Sequence, residues 1–271
     1  MKRGSLGFVF ALFLSLPVVA QDLSLKGSLI QGGLITGNTI PGAKIDLSGK
    51  KIRVDADGLF VFGFGRDAPA QAVINVLLPD GRRISRVLEI RQRKYRVQRI
   101  DGLPGKMVNP SQKALKRIWA EGKAITAARG TFTSQKHFKS GFAWPSKGRI
   151  SGVYGSQRIL NGEPRRPHLG IDIAAPTGTP VFASAAGMVT LAETDLYFTG
   201  GTIIVNHGHG LSTVYSHLSK IDVRKGQTVA RGQKIGAIGS TGRSTGPHLD
   251  WRINWFQERL DPVLLAGPKP N

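Results

Sequence analysis

From residue 21 to about residue 100, apolar and polar residues alternate in short runs: SLIQGGLITGNT, KIDLSGKKIRVDADGLFVFGF, AVINVLLPDGRRISRVLEI and KYRVQRI. A period of two is that of half-buried strands. The turn dipeptides between the runs, Gly32-Gly33, Pro41-Gly42, Asp57-Gly58 and Asp80-Gly81, recur at the spacing of a small antiparallel β-sandwich. This stretch has no histidine and no clustered acids, so it reads as a spacer or binding module. The pattern then changes to a helical one. Asn109 can cap a helix with Pro110 in its first position, Leu115, Ile118, Trp119 and Ile125 form its apolar stripe, and Gly130 ends it. Its other face carries Lys113, Lys116, Arg117 and Lys123, a solvated side. Residues 131–143 read as a linker, with His137 exposed in it.

From Trp144 onward the chain is Gly-rich and strand-like, without a clear helix. The segments PTGTPVFASAAGMV and KGQTVARGQKIGAIG look alike, apolar run, turn, apolar run, and are read as related hairpins in one folded sheet.

Residues 1–20 have the composition of a signal peptide: Lys2 and Arg3, an apolar run from Leu6 to Val19, and small residues Val18 and Ala20 before a cut at Gln21. The run is short of the roughly 20 residues that span a bilayer, and Pro17 breaks its end, so a cleaved signal is expected in preference to an uncleaved anchor. No later segment reads as a membrane span, because Gly, Pro or charge interrupts every other apolar run. Export is therefore expected, to the periplasm or beyond it. The absence of cysteine excludes disulfide staples and thiolate metal sites, leaving His, Asp and Glu as candidate ligands. The formal charge of +21 favours polyanions. Outside the cytoplasm these are cell wall and anionic lipid, and no recognition motif points to nucleic acid.

The candidate chemistry sits in two stretches, PRRPHLGIDIAAPTGTPV and STGPHLDWRI. In the first, His168 and Asp172 have even spacing in an extended segment and so share a face; in the second, His248 and Asp250 do the same. Between them, alternation of Leu211, Thr213, Tyr215 and His217 suggests a strand that delivers His217 at its end. Imidazoles and carboxylates converging from three strands are what a catalytic zinc site needs, with one coordination position left open.

The ordered segments HLGIDIAAPTGTPVFASAAGMV, NHGHGLSTVYSHLS and VARGQKIGAIGSTGRSTGPHLDWRI closely resemble the lysostaphin-type (LytM-like) zinc metallopeptidases. The resemblance runs from Trp144 to Pro262 and implies the duplicated hybrid motif fold, an antiparallel β-sheet with a groove along it. It also implies one zinc per chain, with His168, Asp172 and the residue at 250 as ligands and His217 and His248 as the catalytic pair. The family has histidine where this chain has Asp250. Three readings follow. Asp250 coordinates zinc through its carboxylate, so that two aspartates neutralise the ion and weaken it as a Lewis acid. Alternatively, metal is held poorly and the domain is an inactive binder. In the third reading, Asp250 orients His248 and water completes the metal sphere.

The expected architecture is mainly β: signal peptide 1–20, β-sandwich module 21–105, helical connector and linker 106–143, and lysostaphin-type peptidase domain 144–267. The expected function, implied by the resemblance, is hydrolysis of peptide cross-links in bacterial peptidoglycan. The alternative is a non-catalytic member of the fold that binds wall and regulates other wall hydrolases; the expected partners are peptidoglycan and other wall hydrolases or division and envelope proteins. Tyr154, Arg158, Asn161 and Arg165, just before the first motif, could line the groove, and His207 and His209 in the NHGHGLS turn could touch substrate.

Overall fold

The computed structural model describes residues 22–102 and 110–270. The proposed signal peptide, Asn109 and the boundary at 105/106 lie outside the described residues. The alternating runs form strands β1 (Leu23–Gly27), β2 (Leu34–Thr39), β3 (Lys44–Leu47), β4 (Lys50–Ile52), β5 (Leu59–Gly63), β6 (Gln71–Leu77) and β7 (Arg83–Glu89). Two antiparallel sheets result, in the orders β1-β2-β5 and β4-β3-β6-β7, with Ile35, Phe60, Phe62 and Ile74 buried among them. The turn glycines behave as read: Gly32, Gly42, Gly58 and Gly81 all have φ between 80° and 87°, a left-handed backbone that costs glycine little.

KYRVQRI does not join the sandwich. Its strand β8 (Val97–Ile100) leaves to pair in parallel with β10 (Gln157–Leu160), which in turn pairs with β11 (Glu163–Pro164). Helix α1 (Gln112–Gly130) is capped by Ser111, whose hydroxyl accepts from the Ala114 amide. Its packed face is narrower than the expected stripe. Ile125 and Ala128 meet Leu191, Leu196, Ile204 and Val214, whereas Trp119 is 72% exposed. Among the described residues, no helix is long and apolar enough to cross a membrane.

The rest is one ten-stranded sheet. Its strands are β9 (Arg149–Gly152), β12 (Ile171–Ala174), β13 (Pro180–Phe182), β14 (Gly187–Leu196), β15 (Gly200–Gly208), β16 (Leu211–Ile221), β17 (Thr228–Val229), β18 (Lys234–Ile238), β19 (His248–Trp255) and β20 (Glu258–Leu260). A short helix α2 (Pro262–Ala266) closes the chain's described part. The two look-alike segments are not hairpins. The first strand of one pairs with the second strand of the other, β13 with β18 and β14 with β17, so the repeats interlock across the sheet. Each apolar run buries its face against the other repeat rather than against itself. The sandwich docks on the far edge: Arg93 pairs with Asp261 at 2.8 Å, the Asp261 amide donates to Gly32, and Leu260 packs where any side chain at Gly63 would sit.

Candidate metal centre and active site

Three adjacent strands build the site. β19 lies between β16 and β12, and Asp172 on β12 stands directly opposite Asp250 on β19, which stands opposite Ser216 on β16. Cross-strand partners share a face, so Asp172, His248 and Asp250 all point to one side of the sheet. His168, just before β12, joins them, with Nε2 at 3.2 Å from Asp172 Oδ1. Space for the Asp172 carboxylate comes from Gly152, where a Cβ would lie 2.2 Å from Oδ2.

His217 reaches this side by a different route from the one alternation implies. Tyr215 faces Trp251 on the other side of the sheet, and a regular strand would send His217 there as well. Instead His217 adopts φ +65°, which turns its ring into the cleft, where its centroid lies 4.7 Å from that of His248. Its Nδ1 sits 2.7 Å from the Thr241 carbonyl, and His248 Nδ1 sits 2.8 Å from the Gly246 carbonyl. A carbonyl only accepts, so both rings carry a proton on Nδ1 and leave Nε2 free of that contact. Burial pushes the His217 pKa down to about 4, so it is neutral at pH 7.

A cleft of about 330 Å³ opens over these groups, lined by Asp172, His217, His248, Arg158, Arg243 and Gln98. Helix α1 contributes nothing to it, while β8 supplies one wall through Gln98 and Ile100.

The residues fit a metal ion. One ligand atom each from His168, Asp172 and Asp250 lies within 4.8 Å of the others, and all three residues are buried. Both ring nitrogens of His168 and Oδ1 of Asp172 are buried without a hydrogen-bond partner, and such orphaned atoms mark a place for a cation. Asp250 differs: Oδ1 accepts from Arg252 Nε at 2.9 Å and Oδ2 from Arg252 Nη2 at 2.5 Å. Arg158 Nη2 donates to Asp172 Oδ2 at 2.6 Å. Burial alone would raise the Asp250 pKa, but the Arg252 charge and its hydrogen bonds, with His168 and His217, hold it far below the usual carboxylate range. Arg252, paired with Asp250, and Arg243, in the cleft lining, are the residues beside the site that sequence reasoning missed. The signal for Arg252 was present, since two positions after Asp250 on a strand is the same face.

Four expected substrate contacts are corrected. Tyr154 is 3% exposed and its hydroxyl donates to the Arg259 carbonyl, well inside the packing with the sandwich. Asn161 has φ +50° in the exposed turn between β10 and β11 and does not line the cleft. His209 is buried between Phe132 and Phe138, with Nε2 at 3.6 Å from Asp55 of the sandwich. His207 is fully buried, held at Nδ1 by the Ala186 carbonyl and at Nε2 by the Thr213 hydroxyl. Of the group, Arg158 lines the cleft, and Arg165 lies close enough for its charge to act on Arg243.

The burial of His207 makes a stability prediction. Its pKa falls from the ordinary 6.5 to about 4, chiefly through burial. Above pH 6.5 both folded and unfolded states are neutral there, and its contribution is complete. Below that the unfolded chain takes up the proton first, so about 3 kcal/mol of stability is lost as pH falls from 6.5 to 4. Urea unfolding at pH 7.5 and 4.5 tests this. A His207→Gln variant should lose less stability on acidification than the wild type, and equal losses would refute the assignment.

The comparisons with known proteins agree with this geometry. Residues 166–262 match Peptidase family M23. Peptidoglycan DD-endopeptidase ShyA of Vibrio cholerae serotype O1 is 40% identical over 147 residues, 51% of this chain and 34% of its own length. DD-carboxypeptidase/endopeptidase Mpg of Neisseria meningitidis serogroup B is 41% identical over 122 residues, 45% of this chain and 28% of its own. The chain thus spans about a third of the length of these curated relatives. A crystal structure from Pseudomonas aeruginosa, of a protein assigned to peptidase M23, superposes with a TM-score of 0.69 at 29% identity, covering 89% of this chain and 96% of that one.

Proposed function

Starting from this chain's membership of peptidase family M23, carried by residues 166–262, we propose that it is an exported zinc metalloendopeptidase that hydrolyses peptide cross-links of peptidoglycan. The observation that carries the reading is the convergence of His168, Asp172 and Asp250 within 4.8 Å, with orphaned donor atoms on the first two. The endopeptidase names of the V. cholerae and N. meningitidis relatives support peptidoglycan as the substrate.

His168, Asp172 and Asp250 would hold one zinc ion, which supplies Lewis acidity toward a scissile carbonyl and a water. The chain's own residues do the rest. His217, neutral and with Nε2 open to the cleft, takes the proton from the attacking water. That proton then passes from His217 to the leaving amine, while His248, with Nε2 3.9 Å from Asp172 Oδ1, flanks the same site from the neighbouring strand. The cleft is the peptide's seat, and the basic surface suits an anionic wall. Residues 1–20 direct export to the periplasm or the medium, and the sandwich module positions the peptidase part.

A second reading, a wall-binding regulator of other hydrolases, is favoured by one observation: both oxygens of Asp250 already accept a hydrogen bond from Arg252. Metal analysis and digestion of purified sacculi separate the two. We expect about one zinc per chain, and release of muropeptides that stops with a chelator and resumes with added zinc. Protein that binds sacculi without zinc and without release would establish the regulator instead.

A further inference from the structure

The Asp250–Arg252 pair bears on how the site holds its metal. Both residues lie on β19 with even spacing, opposite Ser216 and Val214 of β16, and so project from one face. The guanidinium meets the carboxylate edge-on through two donors, at 2.9 and 2.5 Å, a geometry in which arginine is bidentate and fixed. The fold reserves room for the pair: a Cβ at Gly170 would lie 2.6 Å from Arg252 Cγ and 2.9 Å from Asp250 Oδ1. The pair also relieves a conflict, because Asp172 and Asp250 face each other directly across strands, where like charges repel. Arg158 answers one carboxylate and Arg252 the other.

We propose that Arg252 is the charge-balancing partner of the third zinc ligand, so that Asp250 and Arg252 together present the metal with a neutral oxygen donor, as an imidazole in that place would be neutral. The proposal rests on the zinc reading above and deepens it. Each Asp250 oxygen accepts one N–H and keeps a further lone pair for a metal. The neutralisation of zinc by two bare aspartates, expected from sequence, therefore does not arise at this position. Arg252 keeps 27% of its side chain exposed, and the Asp250 carboxylate outweighs the effect of burial on it, so its positive charge is retained beside the site. It opposes zinc binding by direct repulsion and by satisfying Asp250 before the metal arrives.

Zinc affinity of the full chain, measured by competition with a chromophoric chelator, tests this. Arg252→Gln removes the opposing charge and should tighten zinc binding about tenfold or more. Arg252→Lys keeps the charge and should stay within about threefold of the wild type. Asp250→His places a neutral ring against an unanswered guanidinium and should bind zinc about tenfold more weakly than the double variant Asp250→His/Arg252→Gln, in which the conflict is gone. Should Arg252→Gln fail to fold, the two Asp250→His proteins decide the matter. Unchanged or weaker binding in Arg252→Gln, or a double variant no tighter than Asp250→His, overturns the proposal. A wild type that takes up no zinc sinks the zinc reading as well, whereas a wild type with one zinc and either overturning result sinks this proposal alone.

Discussion

His217→Ala should lower muropeptide release from purified sacculi by about 10²–10⁴-fold while leaving zinc content unchanged. His217 is not among the three converging ligand residues, so its removal spares the metal. It is held by a chain of contacts that ends in the substrate cleft. Gly200, at φ +58°, lets the 200–201 backbone run against Thr241; the Thr241 hydroxyl donates to the Leu218 carbonyl, and its own carbonyl receives the His217 Nδ1 proton. Nε2 is thereby aimed at the cleft with its lone pair available. Alanine removes the acceptor this strand offers the attacking water. Release at more than a tenth of the wild-type rate, with zinc at full occupancy, would place the proton acceptor elsewhere. Loss of zinc together with activity would show that His217 belongs to the metal sphere.

How much of this was legible without coordinates depended on whether the relevant contact was local. The sandwich strands, their turns and the shared face of His168 and Asp172 follow from a period of two and from glycines at left-handed positions, and both are properties of neighbouring residues. The cross-pairing of the two look-alike segments is non-local. Each is equally satisfied by folding on itself, and only the shared burial of β13 with β18 and β14 with β17 selects the interlocked arrangement. His217 shows a subtler failure. Alternation places it in the right strand and, taken literally, on the wrong side of the sheet, because a single φ of +65° inverts the face. That strain is sustained by the Thr199 carbonyl, which accepts the His217 amide, and by the Thr241 carbonyl on its ring. The departure of β8 to wall the cleft was hidden for a similar reason: its partner β10 lies about sixty residues further on.

The charges around Asp172 make its replacement the other change of large effect. Asp172→Asn should weaken zinc binding by at least about 100-fold and abolish muropeptide release, since loss of a direct anionic ligand costs more than loss of an outer-shell partner. Asparagine preserves the shape of the side chain, and Gly152 leaves it the same space, so the result isolates charge from packing. In the wild type burial opposes the Asp172 anion, yet the charges of His168 and Arg158 and the hydrogen-bond geometry toward His168 outweigh it and hold its pKa below the ordinary value. Its stabilising share is therefore complete above pH 3.8 and is lost as pH falls further. The amide keeps an acceptor for Arg158 but offers no charge to balance it, leaving Arg158 and Arg252 with one carboxylate between them. The metal-free variant should accordingly unfold at lower urea than the metal-free wild type at pH 7, with the gap closing toward pH 3. Zinc should stabilise the wild type and leave the variant unmoved, and a variant whose midpoint rises with zinc as the wild type's does would remove Asp172 from the ligand set.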